Sequence, residues 1–217
     1  AITAYLCIIS TFFTKADVIS NYSLANCPDV KSPLPPISYS IGSWEPQRQL
    51  WLLAVIAHLP ARLLLTVMVT QVWRERVWRL GGLGAASLEM IGLVCVSLFH
   101  VDSFAGFQVH ALFFVLWIGG SIWGMINIVH LQRMTGWREQ RREVFRTWLA
   151  KLIILIAFIL VATAVSISYP MSQRFCNLTA FTIFCMGEYA IIALNAAFWA
   201  VVLIEWSRHF EGIQIVS

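Results

Sequence analysis

With 217 residues, 59% of them hydrophobic and 12% charged, and a mean hydropathy of +0.75, the chain has too little polar surface to be a water-soluble globule. Its formal charge of +4 comes with no basic patch interleaved with base-reading groups, which excludes nucleic acid as the reason for the charge. Runs such as LIILIAFILVATAVSI are apolar on every side and lack the two-residue alternation of a barrel strand, so the fold class is all-α, a polytopic membrane protein.

Six apolar runs predict six spans: one up to Phe13, then 49–73, 80–99, 107–131, 148–169 and 178–206. Crossing ~30 Å of hydrocarbon takes about 20 helical residues, and the run before Lys15 is shorter, so the first span is expected to be truncated. Residues 1–217 are expected to form a single six-helix membrane domain. The long connection from Lys15 to Arg48 carries Pro33, Pro35 and Pro36, which predicts an extended lumenal loop and no further helix.

Ten of the fifteen basic residues share one side: Arg74, Arg76, Arg79, Arg133, Arg138, Arg141, Arg142, Arg146, Lys151 and Arg208. The positive-inside rule makes that side cytosolic and places both termini there. Lys15, Lys31, Arg48 and Arg174 then face the lumen. Cys7, Cys95 and Cys185 lie in spans, whereas Cys27 and Cys176 lie in lumenal loops, where an oxidising compartment permits a bridge; two free thiols are the alternative. Asn21 and Asn177 head glycosylation sequons on the same side. Gly120 and Gly124 form a step at which the fourth span can approach a neighbour closely, and Asn127 and His130 are expected to meet headgroups at its cytosolic end.

The informative residues are polar ones inside the spans. A charge at a helix centre costs roughly 2.5 to 3.5 kcal/mol on insertion scales, so such groups turn inward and mark a site. Arg62 in the second span, Glu89 in the third and Glu188 in the sixth carry that cost, and mutual pairing within the bundle is expected to remove it. His58 and Arg62 are four apart and share a helix face, and Glu188 and Asn195, seven apart, share another. His110 lies shallower on the fourth span, near Asp102. Two histidines with carboxylates can supply a general base near neutral pH, and a structural ion network that fixes helix register is the alternative. Nothing resembles HExxH or paired-cysteine spacing, so neither metal nor cofactor is expected, and there is no GxSxG elbow and no HxxxxD acyltransferase box.

The order of features carries a resemblance: a lumenal cysteine and proline-bearing segment, SYSIGSWEPQR, HLPAR in the second span, a glutamate in the third, a histidine opening the fourth, and FCNLTAFTIFCMGEYAIIALNAAF in the sixth. The chain resembles the post-GPI-attachment-to-proteins factor 2 family, within the Frag/DRAM/Sfk group of six-span membrane proteins. The resemblance implies a Golgi membrane protein, with the endoplasmic reticulum as an alternative location. Its implied task is the remodelling of glycosylphosphatidylinositol (GPI) anchors, at the step where a lyso-anchor regains a saturated acyl chain. The matching positions are Glu45, Arg48, His58, Arg62, Glu89, His110, Glu188, Tyr189 and Asn195, with Cys27 and Cys176 as the loop cysteines.

Acylation needs a base for the lyso-anchor's hydroxyl and a stabiliser for the developing oxyanion. His110, oriented by Asp102 or a glutamate, is the first choice of base and His58 the second. Arg62 and Arg48 suit phosphate or oxyanion charge, and Glu45 can fix Arg48. The partners implied are GPI-anchor lipids, membrane phospholipids and an acyl donor, either a lipid or acyl-CoA; no protein partner follows. Two further readings stand beside this enzyme: a non-catalytic subunit that binds and presents the lipid, and a transporter relaying protons through Arg62, Glu89 and Glu188.

Overall fold

The computed structural model describes residues 2–17, 22–24, 27–31, 34–71, 76–99, 104–134 and 142–214. Among the described residues, seven helices and one small hairpin are bounded, in order: α1 (Ile2–Thr14), β1 (Ser23–Leu24), β2 (Cys27–Lys31), α2 (Ile37–Gly42), α3 (Gln47–Gln71), α4 (Arg76–Leu98), α5 (Phe104–Met134), α6 (Arg142–Phe175) and α7 (Leu178–Gln214). Five of them contain stretches long and apolar enough to cross a membrane: Gln47–Met68, Arg76–Leu98, Gln108–Met134, Phe145–Phe175 and Leu178–Glu205. The chain is an all-α polytopic membrane protein. The first expected span corresponds to α1, whose 13 residues are not among these five.

Two tight helix pairs, α4 with α5 and α6 with α7, form the bundle, and α5 joins them through its contact with α6. Glycines make the first pair close. A Cβ on Gly120 would lie 2.5 Å from the Glu89 backbone nitrogen, and one on Gly92 would lie 2.5 Å from that of Trp117. Backbone therefore touches backbone where α4 crosses α5, the geometry that small residues permit in membranes. Gly124, the other half of the step, has room: its Cβ would meet only the Ala85 methyl at 4.0 Å. A core of Phe158, Met125, Ile191, Phe198 and Val202 fills the space where α5, α6 and α7 meet. Helix α3 packs on α4, and α1 packs on α3 and α2.

The segment after α1 is only partly extended. β1 and β2 pair antiparallel, and Cys27 at the start of β2 bonds to Cys176 between α6 and α7, with Cα atoms 5.5 Å apart. The proline stretch then turns directly into α2 at Ile37, correcting the expectation of a loop without a helix. Pro36 holds the N-cap position with extended ψ and offers no side-chain cap. Glu188 of α7 satisfies the exposed amide instead, accepting from Ile37 N at 2.7 Å and from the Ser38 hydroxyl at 3.4 Å. Tyr189 Oη donates to Pro35 O at 3.1 Å, and Thr11 Oγ1 of α1 donates to Ser40 O at 2.8 Å. Helix α2 is thus fastened from both sides. Asn177 caps α7, its Oδ1 accepting from Ala180 N at 3.0 Å.

Two polar residues sit elsewhere than expected. Lys151, counted among loop cations, is only 2% exposed within α6 and pairs with Glu205 of α7. Gln132 Nε2 of α5 donates to the same carboxylate at 2.6 Å and Thr147 Oγ1 at 3.2 Å, so three helices are tied at the end away from the disulfide. A long stem let Lys151 follow its partner inward, which a count of loop charges cannot see. Asn127 is buried rather than at headgroups, donating to Trp123 O at 2.9 Å, and His130 packs against Trp78. Asp102 and the Asn21 sequon lie outside the described residues.

The α4–α5 crossing predicts an asymmetry between two glycines one turn apart. Gly120→Ala must push backbone from backbone, costing about 1–3 kcal/mol, whereas Gly124→Ala should leave the melting temperature in detergent unchanged. Equal melting temperatures for the two variants would contradict the crossing.

Candidate functional site

The site lies between two helices that touch at few points. Helices α3 and α7 face each other across a cavity of about 500 Å³ floored by α4 and α5 and roofed by α2. Such a volume is ordinary for one small ligand. The walls are apolar, from Trp51, Val55, Leu93, Phe114, Trp117 and Ile192 among others. Leu203 and His58 line it and are also exposed, so it is continuous with the outer, lipid-facing surface between α3 and α7.

The inner wall carries one polar knot. Glu89 of α4 is 4% exposed, and its Oε1 accepts from Arg62 Nη2 of α3 at 2.5 Å, from Ser121 Oγ of α5 at 3.0 Å and from Asn195 Nδ2 of α7 at 3.1 Å. Asn195 also donates to Ser121 Oγ at 3.1 Å. One oxygen thereby gathers donors from three other helices. The Arg62 guanidinium lies flat on Trp199, 3.3 Å from the ring centroid, which shields its second face. The expected pairing of Arg62 with Glu89 is present, and Asn195 joins it.

Glu188 does not join this knot, contrary to the expectation of mutual pairing among the three charges. Its carboxylate meets the start of α2, at the roof of the same cavity. Seven residues separate it from Asn195, about two turns or 10 Å along α7, which places the two carboxylates at different depths.

His110 stands near the disulfide end. It is buried, and its Nδ1 lies 2.9 Å from Phe99 O. A carbonyl only accepts, so Nδ1 carries a proton, and in the neutral ring the lone pair is on Nε2. A backbone carbonyl thus holds Nδ1, and the expected orienting Asp102 lies outside the described residues. Trp51 Nε1 donates to Ser97 Oγ at 3.0 Å on the neighbouring wall. His58 lines the cavity one turn from Arg62.

Two expected binding residues stand apart from the cavity. Arg48 and Glu45 pair with each other at 3.9 Å before and at the start of α3, both exposed enough that water screens the pair. Tyr189 is used on Pro35. The sequence reading missed Ser38, Ser121 and Trp199. Trp199 was within reach, since it lies four residues after Asn195 on the same helix face; Ser121 follows the close-approach glycine Gly120 and had no period of its own.

If the knot holds the helices as described, Arg62→Met leaves Glu89 buried without its cation and lowers stability by about 3–5 kcal/mol. Adding Glu89→Leu should recover most of that loss, since an apolar pair needs no partner. Thermal unfolding in micelles reads both, and a single variant as stable as the parent would contradict the pairing.

Comparison with known proteins now bears on this geometry. A family model described as the Frag1/DRAM/Sfk1/Cwh43P N-terminal domain matches residues 1–209. Two curated relatives, each called Post-GPI attachment to proteins factor 2, come from Drosophila pseudoobscura pseudoobscura and Drosophila melanogaster. They are 26% identical over 181 and 176 residues, covering 78% of this chain and 68% of each relative. No solved structure matches. A match over nearly the whole chain makes the family plain: the protein belongs to the Frag1/DRAM/Sfk1/Cwh43P N-terminal domain family.

Proposed function

We propose that this protein remodels the lipid of GPI anchors, transferring an acyl chain to a lyso-anchor at a lumen-facing site in the Golgi membrane. The names of the two relatives support the anchor as substrate class. The observation that carries the chemistry is the cavity itself: apolar walls open to lipid, a histidine with a fixed tautomer near one end, and an arginine knot inside.

His110 and Arg62 serve different stations. Their partners, Phe99 just after α4 and Glu89 within it, are ten residues apart, about 15 Å along the axis. No single reacting carbon meets both. His110 Nε2 takes the proton of the lyso-anchor hydroxyl, whose oxygen attacks the acyl carbonyl of the donor; the carbonyl–donor bond breaks and the proton leaves with the donor's alcohol or thiol. The glycerol hydroxyl of an anchored lipid lies just below its headgroup, the depth at which His110 sits. The acyl chain then runs inward along Leu93, Phe114, Trp117 and Ile192. Roofing by α2, fastened through Glu188, keeps water from the reacting ester.

A second reading uses His58, because Arg62 lies one turn away and can stabilise an oxyanion there. The two differ in a direct assay. Purified protein given lyso-anchor and radiolabelled donor should lose transfer by 100-fold or more, about the contribution of a positioned base, on His110→Ala and by less than about tenfold on His58→Ala. The reverse ranking would move the chemistry to His58. Lipid retained without turnover in the unmutated protein would replace the enzyme by a lipid-presenting subunit.

A further inference from the structure

The cavity does not stop at the polar knot. Past Asn195 its wall continues along α7 through Ala196, Trp199, Ala200 and Leu203, about 10 Å beyond the knot, and Ala200 and Leu203 are exposed there. Across from this stretch α3 contributes Leu59 and Arg62, the latter stacked on Trp199. Two methyl-sized side chains therefore keep a passage open beside the buried ion pair.

A chain entering near His110 has about 15 Å of apolar wall before it reaches the level of Glu89. One that ends there places its terminal methyl against Arg62, Glu89 and Asn195 and gains nothing from them. One that continues passes over Ala196 and Ala200 and packs its further methylenes against apolar wall, clear of the polar knot. We propose that Ala196 and Ala200 form the passage by which a single long acyl chain threads beyond the Arg62–Glu89 knot, so that these two residues set the chain length the site accepts. This rests on the cavity being the lipid site of the proposed function, and adds to it a specificity filter.

The structure supplies its own control. Ala197 is exposed on the same helix and does not line the cavity, so Ala197→Phe adds the same bulk outside. Ala200 is exposed and lines the cavity, so Ala200→Phe adds bulk there, and Ala196→Phe adds it one turn higher.

The experiment measures binding and needs no turnover. Purified protein is equilibrated in micelles with equal lauroyl and stearoyl lysophosphatidylinositol, and the retained lipid is quantified by mass spectrometry beside the melting temperature. The unmutated protein should retain stearoyl over lauroyl by about tenfold or more, and Ala197→Phe should match it. Ala200→Phe and Ala196→Phe should bring the ratio to about one with melting temperatures preserved. Leu203→Ala, which only removes bulk, should leave the stearoyl preference at least as strong and so keeps the test informative if a phenylalanine variant misfolds. No preference in the unmutated protein, or an unchanged ratio in a folded Ala200→Phe, overturns the passage. Because transfer is not read, a protein that binds but does not acylate still answers the question, and failure of the acyltransferase reading stays separate.

Discussion

Everything in this bundle depends on one oxygen atom. Glu89 Oε1 sits in a medium without water and must be surrounded by donors, and it finds them on α3, α5 and α7. A carboxylate left alone there would cost several kcal/mol, so the requirement is strong enough to bring four helices to one point. Closeness is needed as well as charge. Ser121 reaches Glu89 because Gly120, its neighbour, lets α5 touch the α4 backbone at that residue. Covering the guanidinium with Trp199 completes the shielding, and the ring doing so belongs to the helix that also brings Asn195.

The same convergence leaves a void. Helices α3 and α7 meet through the knot rather than through interlocking side chains, and the space above and below it remains open as the cavity. A second carboxylate, Glu188, closes the upper part by capping α2. The two glutamates thus divide the labour: one joins the spanning helices and one holds the cover. A third polar cluster, Lys151 with Glu205, Gln132 and Thr147, does for the far end of α5, α6 and α7 what the knot does for the middle. Buried pairs of this kind contribute less to net stability than to fixing which helix faces meet.

Much of this was legible in the sequence, and the limits have physical causes. Five apolar runs became spanning helices because hydropathy and length alone decide insertion. The Cys27–Cys176 bridge is one of the two states that the sequence left open for this pair of loop cysteines. Arg62 announced a partner, and Glu89 was one of the two carboxylates named. What failed was the choice between carboxylates: counted along the sequence Glu188 and Glu89 sit comparably far into their spans, but Asn195, two turns further along α7 than Glu188, is the residue that meets Glu89, and Glu188 is taken by α2. Helix α2 itself was hidden because its N-terminal amide is capped from 151 residues away, a contact with no local signature. Lys151 and Asn127 were misplaced for a related reason, since hydropathy prices each side chain singly and cannot register a pair.

The central claim is that one lipid chain occupies the cavity between α3 and α7. A lysophosphatidylinositol carrying a photoactivatable diazirine midway along its acyl chain, irradiated with the purified protein and mapped by peptide mass spectrometry, tests it most directly. The account predicts adducts on Phe114, Trp117, Ile192 or Trp199, which line that cavity. Adducts confined to Ile153, Leu160 and Ile167, on the exposed outer face of α6, would contradict it.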